Sequence, residues 1–596
     1  MREAKILFYL VILAPGWLLA QQGQVPPELI QYPDLMLQNG KVLTVDQNFR
    51  IAEAVAIRNG VFLAVGTNAE VLRLQGPETT LVDLQGKTVI PGFIATDGDG
   101  APVGDDLYKS TQIGGKLLGT QNELKTRQAV LDFVQQQTAA RPPGESIYIR
   151  VAEEQPEPLA MTKEDLDPVS PRHPIAISVS SFDMVVNSLM LAKVLEMLPG
   201  GAAQPSVIKD PATGKPNGQL FGHAMGVAGW DLRPWPKIDE AMLQEQKEAF
   251  TRRNREGQTS IVGHTQGFGL TVMNVLYHRN ELTVRWFAAH DLLRANPNAE
   301  AYLRRLGNLV DFSLGDMVTI IGAGLSPLDG NAGPGSALTL APKANSPKSI
   351  FPPNGHNVWY SYGTTRGDIN REYTEWNNLQ VAIKYGWNTT SIHNVGDMAT
   401  QIWLDGIEQG LNQPDLVLRP QFRPFGSDHN LFSSPSQYEQ IKRLDFRRGL
   451  GKFQRGGAAE AAELYGDRIH DVQPVPELIR EGFAVHLEDA KLGTLEQYIT
   501  RRDERSLMWG PDHAIDRPTA LRMGTIWAAR YIGEEKNLGS IEKGKKADLV
   551  VLGADYLTVP EDQISQIPVL TTIVGGKVVF DLERDGPAPV NDRRGQ

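Results

Sequence analysis

The run Val89-Ile-Pro-Gly-Phe-Ile94, followed closely by Asp97 and Asp99, constrains the fold more than any other stretch. Val89, Ile90, Phe93 and Ile94 make a short apolar run of the kind that becomes a buried strand. Pro91-Gly92 interrupts it, which a strand tolerates only at an edge or a bend. Residues two apart on an extended chain face the same side. The strand therefore ends by presenting two carboxylates together, and the rest of the chain has to supply their surroundings.

The chain has 596 residues, enough for two or three domains and a large core. Its net charge of -11 argues against a nucleic-acid partner, because phosphates need a basic face. There is no cysteine, so disulfides, a thiolate nucleophile and a cysteine zinc site are all excluded. Residues 1–20 read as a secretory signal peptide. Arg2 and Lys5 precede the apolar run Ile6–Ala14, which is too short to span a bilayer, and Ala20 offers a small residue at the cut. The expected location is periplasmic or secreted, with no membrane span in the mature chain.

Both ends of the mature chain are strand-rich. Leu35 to Val45 alternates on either side of Asn39-Gly40, and Ala54 to Val65 does so around Asn59-Gly60, two hairpin signals. Thr80 to Gly86 feeds the opening strand. Near the C-terminus, Leu549-Val-Val-Leu552 is followed by Val569 to Phe580, with Gly575-Gly576 as a further turn. The middle alternates strands and helices. Gly257–Val262, Met317–Ile321, Trp387–His393, Leu416–Gln421 and Phe483–Asp489 read as strands, and Leu379–Tyr385 as a helix capped by Gly386. The Gly, Pro, Ser and Asn content of Gly322 to Pro353 marks a long loop of the kind that borders active sites.

The segments Val89 to Asp99 and Asn537 to Leu552 resemble the amidohydrolase superfamily, in which Pro-Gly-Phe-Ile-Asp-x-His-x-His ends the first barrel strand. Asn187-Ser-Leu-Met-Leu191 and Gly218-Gln-Leu220 resemble the branch that includes N-substituted formamide deformylase. The resemblance implies an α/β fold: a (β/α)8 TIM-like barrel, an inserted α+β subdomain and a composite β-sandwich. The sandwich is expected from residues 30–92 and 538–583, the barrel from 93–537, and the insertion from about 105–225.

Matched to the family's site, several positions differ. The histidine pair of strand 1 becomes Asp97 and Asp99. The middle-strand lysine falls near Thr319. The strand-5 histidine is His393, followed by Asp397. The strand-6 histidine falls on Arg419, and the strand-8 aspartate on Asp489. Four arrangements follow. Asp97, Asp99, His393 and Asp489 can form a carboxylate-rich metal site, suited to oxygen-loving ions and poorer at acidifying water than a neutral-ligand site. Alternatively Arg419, which keeps its proton and cannot ligate, replaces the ion beside Asp97 or Asp99. A third set draws on His264, His223, His486 and Glu488. In the fourth, Trp230, Trp235, Trp359 and Trp509 line a pocket that only binds.

The expected function is hydrolysis of an amide or other C–N bond in a small, partly apolar substrate. Asp489, His393 and Arg419 are its catalytic candidates. The resemblance implies a divalent ion, Zn, Mn or Mg; the sequence carries no phosphate-binding Gly-Lys-Ser/Thr loop and no dinucleotide fingerprint, so no nucleotide cofactor is expected. The competing expectation is a degenerate amidohydrolase serving as a partner subunit or periplasmic ligand-binder. The partners expected are a small molecule and, as in many relatives, a second copy of the chain.

Overall fold

The computed structural model describes residues 31–96, 111–151, 159–179, 183–291, 296, 298–325, 374–451, 466–503 and 506–587, apart from positions 115, 119 and 205. The signal segment, Asp97, Asp99, Trp359 and most of the Gly322–Pro353 loop lie outside these residues.

Two sheets pack at the chain ends. One has four strands, in the order Val61–Gly66, Ala54–Arg58, Leu35–Gln38, Thr80–Asp83. The other has six, in the order Lys577–Asp581, Val569–Val574, Leu549–Leu552, Thr88–Pro91, Lys41–Leu43, Ile51–Ala52. Leu549–Leu552 runs antiparallel to Thr88–Pro91 with Val550 opposite Ile90, so strands from both ends share one sheet. Leu37, Val55, Phe62, Val89, Leu549 and Ile573 fill the core between the layers.

Asn59-Gly60 and Gly575-Gly576 make tight hairpins, with Arg58 opposite Val61 and Val574 opposite Lys577. Both central residues of each turn have positive φ, the requirement of the type I′ turn that favours Asn-Gly and Gly-Gly. Asn39-Gly40 is not a hairpin, contrary to its sequence signal. Leu35–Gln38 pairs within the four-stranded sheet and Lys41–Leu43 within the six-stranded one. Leu37 and Val42 are both buried in the shared core, so the turn carries the chain from one layer to the other.

Residues 112–221 form a seven-stranded sheet with helices on its two faces. Side chains alternate across a strand. Ile147, Ile149, Ile175 and Ile177 pack with Val130 and Val134 of helix Arg127–Ala139. Tyr148 and Ala176 pack with Met190 and Val194 of helix Ser188–Met197. Asn187 caps that helix, its Oδ1 accepting the Met190 and Ile175 N–H groups at 3.0 Å each.

The remaining parallel strands are β1 (Phe93–Ala95), β2 (Gln258–Thr265), β3 (Arg285–His290), β4 (Val318–Ala323), β5 (Ile392–Asn394), β6 (Gly426–His429), β7 (Arg447–Leu450) and β8 (His486–Leu487). β1 to β4 pair in order, and so do β5 to β8. A parallel bridge between Ala323 and Thr389 links the two groups. The Thr96 N–H donates to the Glu488 carbonyl at 2.8 Å, returning from the last strand to the first. This mixed α/β arrangement is consistent with a TIM-like barrel. Phe93, Ile261, Trp286 and Ile320 face outward toward helices α1 (Glu240–Arg255) and α2 (Gly267–His278). Ile94, Val262, Phe287 and Ile321 face inward, where Ala528, Ala529 and Tyr531 of helix α3 (Ile526–Tyr531) close the space.

Candidate active site

Alternation along the strands selects what reaches the interior. Two residues past Ile94 and Val262 stand Thr96 and His264, at the C-terminal ends of β1 and β2. From β5, β6 and β8 come His393, His429 and Glu488. His393 Nδ1 lies 2.9 Å from His429 Nε2. His429 Nδ1 lies 2.9 Å from Glu488 Oε2, and Glu488 Oε1 accepts the His429 backbone N–H. An ionised carboxylate only accepts, so His429 Nδ1 donates to Glu488, and in the neutral ring that leaves Nε2, facing His393, without a proton. His429 and Glu488 are buried, while His393 is partly open. His429 has φ of +73°, left-handed backbone that a non-glycine residue seldom adopts, and the two bonds to Glu488 hold it there.

A second imidazole–carboxylate pair lies beside the first. His264 Nδ1 is 2.6 Å from Asp291 Oδ1, and the His264 ring centroid is 5.5 Å from that of His393. The strand-4 position above them is Gly324. A Cβ there would stand 2.3 Å from Asp291 Oδ1 and 2.7 Å from His264 Nδ1, so no larger side chain fits without moving the pair.

Below this level lies a buried polar layer. His486 Nδ1 is 2.7 Å from Thr96 Oγ1, and its ring lies on that of Tyr531 with centroids 3.9 Å apart. Burial pushes the His486 pKa down to about 3, with the Arg447 charge acting the same way, so the ring is neutral. The Tyr531 hydroxyl is held well above its ordinary pKa by burial and by the Asp428 carboxylate.

Two of the expected site residues stand elsewhere. Arg419 is exposed on the outside, its Nη2 donating to the Leu411 carbonyl at 3.2 Å at the end of helix Asp397–Leu411. It does not replace an ion. Asp489 points away from the imidazoles. It meets Gln258 Nε2 at 3.2 Å, Lys491 Nζ at 3.1 Å and Arg253 Nη1 at 3.5 Å. Side chains on consecutive strand residues face opposite ways, so Glu488 takes the inward place expected of Asp489. Thr319 also corrects an expectation. It lies at the start of β4, the end opposite the imidazoles.

Among the other candidates, His393 joins His429, and His264 and Glu488 are drawn into the same group. His486 belongs to the layer beneath. His223 lies in the short helix Gly222–Gly226 of the insertion, and Trp230 follows it at Val227–Asp231. Trp235 is exposed against Phe268 of α2. Trp509 donates to Asp503 Oδ2 at 2.9 Å. His429 and Asp291 escaped the sequence reading. Their signal was a titratable residue closing a strand.

The amidohydrolase family profile (Amidohydro_3) matches residues 80–580. The chain belongs to the amidohydrolase family. N-substituted formamide deformylase of Arthrobacter pascens is 26% identical over 590 residues, covering 94% of this chain and 100% of that protein. Protein LONG AFTER FAR-RED 3 of Arabidopsis thaliana is 25% identical over 617 residues, covering 96% of each. An uncharacterized metal-dependent hydrolase from Pyrococcus horikoshii superposes with a TM-score of 0.57 at 19% identity, covering 88% of this chain and 99% of that one. At that identity the likeness speaks for the fold.

The site can be tested for its fit to the divalent ion of such hydrolases. Two nitrogens each about 2.1 Å from one ion stand roughly 3.0–3.4 Å apart for angles from 90° to tetrahedral. The His393 and His429 nitrogens stand 2.9 Å apart in a hydrogen bond, just under that span, and both could face an ion once His393 Nδ1 gives up its proton. Glu488 on His429 Nδ1 is the outer carboxylate that metal-bound imidazoles carry. Among the described residues no three His, Asp or Glu side chains are grouped to hold an ion. Asp97 and Asp99, the carboxylates expected at the end of the first strand, lie outside those residues.

Proposed function

We propose that this amidohydrolase cleaves an amide or related C–N bond of a small, partly apolar molecule at the C-terminal ends of β1 to β8, read as one closed eight-stranded barrel. The observation that carries this is the contact chain Glu488–His429–His393, with both imidazole contacts at 2.9 Å. The full-length similarity to a formamide deformylase supports the bond type.

In this reading His393 and His429 would hold a divalent ion, and Asp97 and Asp99, outside the described residues, are the further ligands that the family pattern offers. Such an ion, when bound, polarises a carbonyl and lowers the pKa of a water. Glu488 fixes the His429 tautomer and the left-handed backbone beneath it. Asp291 fixes the tautomer of His264 and so the orientation of that ring beside His393. Gly324 leaves room for the pair. In the overall reaction water oxygen bonds to the carbonyl carbon, the C–N bond breaks, and the proton released by water goes to the departing nitrogen through a carboxylate of the site.

The test is amine release from a panel of N-substituted formamides and other small amides, using untagged protein loaded with Zn or Mn. Turnover by the wild type and its loss in His429→Ala are expected. No release from any member by ion-loaded protein would sink the hydrolase reading and leave the degenerate one.

A further inference from the structure

One side chain from outside the strands touches the supports of three strands that carry site residues, β5, β6 and β8. Tyr531 ends helix α3 and is buried inside the strand ring. Its hydroxyl accepts the Ser391 backbone N–H at 2.9 Å and the Thr390 hydroxyl at 3.1 Å, and donates to Asp428 Oδ1 at 3.1 Å. Its ring carries His486, which in turn holds Thr96. Ser391 lies two residues before His393, Asp428 one before His429, and His486 two before Glu488.

The backbone shows why such a hub is needed. Ser391 has φ of +52°, and a serine held there stores strain unless its surroundings fix it. The Ser391 side-chain oxygen is buried and has no hydrogen-bond partner among the described residues, so the side chain does not hold the turn. The Tyr531 oxygen does, through the Ser391 N–H. The same oxygen donates to the residue before His429, whose own backbone is left-handed. A single atom therefore ties the backbone before His393 to the side chain before His429, at the ends of β5 and β6.

We propose that Tyr531 is a positioning residue of the hydrolytic centre, its hydroxyl holding the two imidazoles at ion-binding separation. This rests on reading His393 and His429 as ligands. The probe is Co2+ added to metal-free, full-length protein and followed by its visible absorption. Tyr531→Phe keeps the ring on His486 and removes only the hydroxyl. It should bind Co2+ about 10–100-fold more weakly, the range for loss of an outer partner, with a changed spectrum. Tyr556→Phe removes an equally buried hydroxyl, bonded to the Arg517 carbonyl at 3.0 Å and remote in the fold, and should leave both readouts unchanged. Ser391→Gly added to Tyr531→Phe should recover much of the affinity, because glycine adopts positive φ without strain.

Wild-type affinity and spectrum in Tyr531→Phe would overturn the proposal while leaving the ligand reading intact. Failure of the wild type to bind Co2+ would remove the ligand reading and this proposal with it. If Tyr531→Phe does not fold, Thr390→Val deletes one of the hydroxyl's donors and should weaken Co2+ binding several-fold. No change there would equally overturn it.

Discussion

Replacing Asp548 by alanine should destabilise the protein more than any surface change, because it strands a buried guanidinium. Arg285 opens β3 at the base of the strand ring, and Asp548 precedes the sheet strand Leu549–Leu552. Nε of Arg285 donates to Asp548 Oδ2 at 2.7 Å and Nη2 to Oδ1 at 2.9 Å, with the side chains 2% and 5% exposed. Asp548 Oδ1 also accepts the Gly575 N–H at 2.8 Å. Burial alone would lower the Arg285 pKa, but Asp548 and Asp316 outweigh it and raise the value above that of an ordinary arginine. Breaking a buried pair costs about 3–5 kcal/mol. Asp316 stays 2.9 Å from Nη1 but is half exposed, so it offsets only part of this, and about 3 kcal/mol is expected. Arg285→Met with Asp548→Leu removes both charges and should lie within about 1.5 kcal/mol of the wild type. Urea unfolding followed by tryptophan fluorescence measures both, since Trp286 beside Arg285 is buried in the core. A cost below about 1 kcal/mol for Asp548→Ala would refute the reasoning, as would a double variant as unstable as the two singles combined.

Arg419→Ala should change stability by no more than about 0.5 kcal/mol in a thermal melt, as befits an exposed residue with one carbonyl partner. Glu488→Gln should lower amine release about 10–100-fold, whereas Asp489→Asn should spare turnover and cost stability, because Lys491 and Arg253 lose their carboxylate. Equal kinetic losses in the two would contradict the assignment of Glu488 to the interior. His486 predicts an acid-sensitive fold. Its folded pKa of about 3 lies below its ordinary value, so its contribution is complete above about pH 6.5. As pH falls the unfolded chain takes up the proton first, and up to about 4–5 kcal/mol is lost on the way down to pH 3. His486→Asn should flatten that slope in urea unfolding between pH 7.5 and pH 4, and an unchanged slope would remove His486 as its source.

The sequence revealed what hydrophobic pattern controls and hid what it does not. Val89 to Ile94, Gly257 to Val262 and Met317 to Ile321 carry enough apolar character to mark strands, and His393 is legible because Ile392 to Asp397 resembles the family's strand-5 segment. β6 is Gly426-Ser-Asp-His429, a buried strand with no apolar residue, because its side chains serve the polar interior. Pattern reading passed over it and settled on Leu416-Val-Leu418. That stretch makes one isolated bridge, from Leu418 to Tyr385, and leaves Val417 65% exposed. The strand-6 position was thereby assigned to Arg419 instead of His429. β8 is only His486–Leu487, too short to fix register by pattern. A one-residue slip exchanges inward for outward, which is how Asp489 stood in for Glu488. Asn39-Gly40 failed for another reason: turn chemistry specifies the bend, and the core on either side decides which sheet receives the next strand.

Hydrolysis by this site requires that His393 and His429 hold a divalent ion. Metal content by plasma mass spectrometry, on untagged wild type and on the His393→Ala, His429→Ala double variant purified in parallel, measures this directly. About one divalent ion per chain in the wild type and a small fraction of that in the variant is the predicted result. A wild type without a bound ion, or a double variant that keeps the full complement, would contradict it.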